Sequence, residues 1–171
     1  MVRPILRYGD QVLHRRADPV AAITPEIGPL IDDMVETLHD AKGIGLAAPQ
    51  IGVSQRIFVI DLSVGRVPSE LIVLINPEFI QRDGLQLVEE GCLSVPGIHA
   101  TVARPAAVTI RGFDRHGTLR TIEGQGLLAR AVQHEMDHLN GILFLDRLRP
   151  VQRFLLTRRA RAQFRRPALA Q

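Results

Sequence analysis

The hexapeptide Gln133-His134-Glu135-Met136-Asp137-His138 limits what this chain can become more than any other stretch, because it puts two imidazoles and a carboxylate on what reads as an inward-facing helix. Side chains four apart on a helix stand one above the other, so His134 and His138 can offer two nitrogens to a single ion. Glu135 is turned away from that line by roughly 100°, too far round to ligate but close to a water on the metal. From 126 to 139, Leu127, Ala131, His134 and His138 form one stripe and Leu128, Val132, Glu135 and Leu139 the next, with Gly141 placed to end the helix. Inward-facing polar groups need partners that offset their desolvation. A metal with its water would satisfy all three, and ordinary core hydrogen bonds would be the plainer solution. Under the first reading, an activated water beside a carboxylate base makes a hydrolase.

A catalytic site takes three protein ligands and leaves one position open. The single cysteine, Cys92, stands in Glu90-Gly91-Cys92-Leu93-Ser94-Val95-Pro96-Gly97. A lone cysteine is by default a small buried apolar residue. The flanking glycines, serine and proline instead point to a bend or bulge, where backbone can approach a ligand closely. A thiolate with two imidazoles would suit a soft or borderline divalent ion such as zinc or iron(II). A third segment, GIGLAAPQ at 43–50, follows a helix in which Ile27, Leu30, Ile31, Met34, Val35 and Leu38 recur at helical spacing. Thr24 is the expected cap of that helix, Pro25 fits its first turn and Gly43 is its expected stop. Residues 43–50 could be only a helix exit and a turn. They could also hold the Gln50 amide beside a metal, where the oxyanion of a tetrahedral intermediate needs a donor.

Taken together, GIGLAAPQ (43–50), EGCLS (90–94) and QHEMDH (133–138) resemble, in order and separation, the three motifs of the bacterial-type peptide deformylase family. The likeness runs over roughly residues 3–150. It implies an α+β fold with antiparallel β-sheets wrapped around a central metal-binding helix, rather than a parallel doubly wound sheet. It further implies Cys92, His134 and His138 as metal ligands, Glu135 as general base and acid, and the Gln50 side chain and Leu93 backbone N–H as oxyanion donors. The implied reaction removes the N-formyl group from N-formylmethionyl peptides and releases formate. Ile44, Gly45, Val88, Leu127 and Ala131 are the implied substrate-binding residues, the apolar ones lining a slot for the methionine side chain. Two positions depart from relatives: Arg130 stands where an aliphatic residue can occur, and His99 replaces a longer residue. The ligand set fits zinc, nickel or cobalt, and the likeness points to iron(II) as the natural ion.

Composition agrees with one catalytic domain over 1–150 followed by a basic helical tail over 151–171. The 171 residues are 46% apolar and 23% charged, ordinary for a globular chain able to bury a core. No apolar run is long enough to span a bilayer, no leader opens the chain, and the one cysteine suits a reducing cytoplasm, so a cytoplasmic monomer off the membrane is expected. Strands are expected at 56–62, 71–76, 85–88, 107–113 and 118–123, with a hairpin turn at 114–117.

After Asp146 there are eight arginines and no acids, so the net charge of +3 divides into +8 for the tail and −5 for the body. Val151, Phe154, Leu155 and the arginines around them suit a terminal helix with Pro167 near its end. Arginine-rich helices can bind RNA phosphates, and the resemblance implies docking on the ribosome near the exiting chain; the alternative is a solvated tail in a chain with twenty arginines and one lysine. Two other functions share part of this pattern. A zinc endopeptidase shares the helix motif but ordinarily takes a histidine or glutamate as third ligand. An RNA-binding protein with a structural metal would need a fourth ligand, and none accompanies the three. His14, His39, His99 and His116 lie in unrelated contexts and are expected in surface or turn positions.

Overall fold

The computed structural model describes residues 1–164. Among the described residues there are three α-helices, α1 (Ile27–Asp40), α2 (Gly126–Leu139) and α3 (Pro150–Gln163). Seven strands run in the order β1 (Gly45–Ala47), β2 (Ile57–Ile60), β3 (Ile72–Asp83), β4 (Gln86–Glu90), β5 (Ala100–Arg104), β6 (Ala107–Phe113) and β7 (Leu119–Gln125). Five of them form an antiparallel sheet in the order β1-β2-β3-β6-β7, and β4 pairs with β5 in a separate ribbon. This is the expected α+β architecture.

The burial of β2 explains how the layers assemble. All four of its residues are fully buried, because Phe58 and Ile60 face α2 while Ile57 and Val59 face α1. A strand covered on both faces reads as a continuous apolar run. On one side Phe58, Leu74 and Ile110 pack with Val132, Met136 and Leu139 of α2. On the other, Leu46, Ile57 and Ile75 meet Ile31, Met34 and Leu38 of α1. A third cluster joins Val95, Ile98 and Val102 to Phe144, Leu148 and Ala160, so that α3 is seated through a fully buried alanine while Val151, Phe154 and Leu155 stay exposed.

The expected helix α2 matches the observed bounds, and its end explains Gly141. That glycine has φ +71°, with Gly141 N–H donating to the His138 carbonyl and Ile142 N–H to the Asp137 carbonyl, a left-handed cap. A Cβ there would lie 2.8 Å from the backbone of His14 and Arg15. The hairpin at 114–117 is also present: the Asp114 carboxylate accepts from His116 and Thr118 N–H at 2.9 and 3.0 Å, and Gly117 takes φ +79°.

Both ends of α1 differ from expectation. The helix starts at Ile27, and Thr24 does not cap it; its carbonyl accepts the Ile27 N–H while its side chain bonds Glu26. At the other end the left-handed residue is Lys42, φ +53°, with Lys42 N–H bonded to the His39 carbonyl and Gly43 N–H to the Leu38 carbonyl. Gly43 instead serves packing, since a Cβ there would press on Leu93 at 2.8 Å. Residues 165–171, which include Arg165, Arg166 and the expected terminator Pro167, lie outside the described residues.

Candidate metal centre

The three motifs meet where β1, the loop after β4 and α2 converge. Cys92 Sγ lies 3.3 Å from His138 Nε2, and one donor atom from each of Cys92, His134 and His138 falls within 4.8 Å of the others. Bond lengths of about 2.3 Å to sulfur and about 2.1 Å to nitrogen at a tetrahedral angle put the two donors about 3.6 Å apart, so this spacing fits one small divalent ion. His134 turns Nδ1 toward Glu90 Oε2 at 3.1 Å, which leaves Nε2 to ligate and fixes the ring as a hydrogen-bonded carboxylate does in metal sites. Two buried polar atoms in the centre, His138 Nδ1 and Glu135 Oε2, have no partner among the described residues. The donor set and an unpartnered carboxylate oxygen beside it both suit a metal with a water.

Glu135 is 3% exposed, and burial pushes its carboxyl up to about 7. It sits against Gly45 so closely that a Cβ on that glycine would stand 2.9 Å from the Glu135 Cδ. Gln50 is equally enclosed: Oε1 accepts the Ala47 N–H at 2.8 Å, and Nε2 donates to Ser94 Oγ at 3.2 Å with Cys92 Sγ 3.7 Å away. Its amide nitrogen is thereby aimed at the Cys92 sulfur. The Leu93 carbonyl accepts from Arg7 at 2.6 Å, which pins the loop from outside.

An ion ladder, buried except for Arg147, supports the centre, and the sequence motifs do not announce it. Arg104 donates to both oxygens of Glu90, at 2.5 and 2.9 Å, and to Asp137 at 2.9 Å; Arg147 clasps the other side of Asp137 at 2.5 and 3.1 Å. Burial alone would raise the Glu90 carboxyl, but hydrogen bonds from His134 and Arg104 hold it down at about 2. The signal available in the sequence was weak: Glu90 opens the cysteine motif and Asp137 lies inside the helix motif, but only the β4–β5 pairing brings Arg104 to them.

A cavity of about 610 Å³ opens on the centre, lined by Ile44, Gly45, Gln50, Cys92, Leu93, Ala131, His134 and Glu135 among others. Val88 and Leu127 are not in its wall; they are 37% and 43% exposed. Of the four remaining histidines, His116 is in the hairpin turn, His39 bonds Asp61 and His14 stands edge-on to Tyr8. His99 is exposed, as expected, and also lines the cavity, whereas the half-buried His39 lies on α1.

A mixed sheet-and-helix scaffold holding two histidines four apart, a cysteine and an adjacent carboxylate defines a metal-dependent hydrolase. Comparison with known proteins makes this specific. The family model described as polypeptide deformylase matches residues 2–154. The peptide deformylase of Acidobacterium capsulatum is 52% identical over 161 residues, covering 94% of this chain and 95% of the relative. That of Desulfitobacterium hafniense is 52% identical over 149 residues, covering 87% and 96%. The crystal structure of a peptide deformylase from Legionella pneumophila superposes with a TM-score of 0.88 at 46% identity, over 98% of this chain and 100% of that one. The chain belongs to the polypeptide deformylase family. It is an enzyme of a metal-dependent family, and its Cys92, His134 and His138 form a cluster able to hold the ion.

Proposed function

We propose that this chain hydrolyses the formamide of N-formylmethionyl nascent peptides with Cys92, His134 and His138 as ligands and Glu135 as the proton carrier. The observation that carries this is the convergence of three donor atoms within 4.8 Å next to a buried carboxylate oxygen with no other partner. A divalent ion held by Cys92, His134 and His138 would supply Lewis acidity and would lower the pKa of a water from about 15.7 to about 7. Glu135 takes the proton of the attacking water and returns it to the leaving amine, a role suited to a carboxyl pushed toward neutrality. The Gln50 amide and the Leu93 N–H meet the developing negative oxygen. Ile44, Gly45 and Ala131 hold the methionine side chain, with the exposed Val88 and Leu127 flanking on β4 and the first turn of α2.

The native ion is proposed to be iron(II), with zinc, nickel or cobalt able to replace it. A monomer acting in the cytoplasm is the proposed setting; no helix among the described residues is long and apolar enough to cross a membrane. Residues 1–150 are proposed as the catalytic unit and the basic segment 151–171 as a ribosome contact. Ribosome co-sedimentation that survives deletion of 151–171 would remove the last idea.

Formate release from a short formylmethionyl peptide tests the mechanism. Glu135→Gln should keep its metal and lose about 10²- to 10⁴-fold in rate, while Cys92→Ala and His134→Ala should lose the ion. A fully active Glu135→Gln enzyme would show that the proton moves another way.

A further inference from the structure

We propose that the mouth of the cavity favours acidic side chains immediately downstream of the formylmethionine and disfavours basic ones. This rests on the deformylase reading of the same site and adds a charge preference to it. Residues 1–146 hold thirteen lysines and arginines against eighteen acids, an acidic body. Three of those thirteen, Arg7, Lys42 and Arg130, nonetheless gather at one cavity. The acids in the same wall do not cancel them. Glu135 is buried in the centre, Glu90 is paired with Arg104, and only Glu89 is exposed.

The cations are placed rather than scattered. Arg7 donates to the Leu93 carbonyl and Arg130 to the Glu89 carbonyl at 3.2 Å, so both are positioned by backbone oxygens, which leave the positive charge uncompensated. Lys42, the only lysine in the chain, occupies the left-handed turn after α1 and is exposed. Ile5 and Arg7 also form part of a second groove of about 1090 Å³, to which Arg15 and Arg161 contribute against one acid, Asp10. A peptide with its formyl carbon at the centre and its methionine in the apolar slot must lead its next residues out past this rim. Charges of one sign around a cleft with low-dielectric walls focus their field on whatever passes through.

The test compares three amidated peptides that differ only in the two residues after formylmethionine: a neutral Ala-Ser, an acidic Glu-Glu and a basic Lys-Lys, with metal-loaded full-length enzyme. The acidic peptide should exceed the basic one by about fivefold to tenfold in kcat/KM at about 0.01 M salt, through KM rather than kcat, and the ratio should fall toward unity at about 1 M salt. Lys42→Gln and Arg130→Gln, singly and together, should reduce that ratio, each variant being referenced to its own rate on the neutral peptide. Arg111→Gln, which removes an exposed cation on β6 outside the cavity, should preserve it. Equal rates for the acidic and basic peptides, or a ratio indifferent to salt or retained in the double variant, would overturn the inference while leaving the deformylase reading intact. Failure to release formate from the neutral peptide would instead defeat that reading, and the inference with it.

Discussion

Replacing Gly45 with alanine should separate catalysis from stability. A Cβ at that position would stand 2.9 Å from Glu135 Cδ and 3.1 Å from its Cγ, and nearer still to Oε1. Ordinary carbon contacts lie at about 3.5–4.0 Å, so the carboxylate must swing aside by about 1 Å. The obstacle is the end of a side chain rather than backbone, so the fold can yield; the smaller unfolded-state entropy of alanine even offsets about 0.4–1 kcal/mol of the strain. A proton carrier, the role proposed for Glu135, has no such latitude. A misplacement of about 1 Å costs on the order of 10²-fold in rate, about 2.7 kcal/mol of barrier. Formate release, metal content and thermal unfolding, measured together, should show kcat/KM down by that factor, unchanged metal and a Tm within about 4 °C of the parent. Parental kcat/KM would refute the argued clash, and a loss of Tm in proportion to the loss of rate would show that Gly45 matters for packing instead.

Arg104→Met should remove the partner of buried Glu90 and one partner of Asp137, costing about 3–5 kcal/mol in denaturant unfolding. By loosening the Glu90 hold on His134 it should also weaken metal affinity by about 10- to 100-fold in chelator competition; unchanged values would make the ladder ornamental. Asp61 is 1% exposed and, although burial alone would raise it, hydrogen bonds from Ser63, His39 and Gly65 lower its carboxyl from 3.8 to about 2. Its stabilisation should therefore be complete above pH 3.8 and lost as pH falls toward about 2, so the stability gap between the parent and Asp61→Asn should close across that window. A gap that stays constant from pH 5 to pH 2 would contradict this. Enzyme prepared anaerobically with iron(II) should lose activity in air while a zinc form stays stable but slower, since a thiolate beside iron(II) is open to oxidation; equal rates and equal persistence would argue against iron as the natural ion.

What the sequence made legible was local. Helix α2 combines an unbroken 3.6-residue period with a glycine at its end, and both the period and the cap are decided within a few residues. The hairpin turn was equally readable, because Asp114 and Gly117 act on their immediate neighbours. Strands β1 and β5 were not anticipated. β1 is three residues of a small-residue run whose extended shape comes from pairing with β2, and β5 alternates alanine, valine and polar residues that gain a face only against β4. The cap of α1 failed for a similar reason: Thr24 and Gly43 have the right chemistry at the wrong position, while Lys42 tolerates a left-handed backbone that its residue type disfavours. In the centre, the three proposed ligands and Glu135 stood out by motif chemistry, whereas Gln50 left a plain turn open and took its role only from the family resemblance. Arg104 was not, because a buried arginine becomes meaningful only after the ribbon has brought it to two acids.

The ladder from Arg147 through Asp137, Arg104 and Glu90 to His134 bears on the order of maturation. Its members, and the sulfur and imidazole donors with them, come from one stretch near residue 90 to 104 and another from 134 to 147. Neither stretch alone offers all three proposed donors, so an ion held there would gain its full affinity only once the two have docked. Metal uptake by a refolding chain should accordingly be a late event, and its time course a direct clock for closure of the ribbon onto the helix.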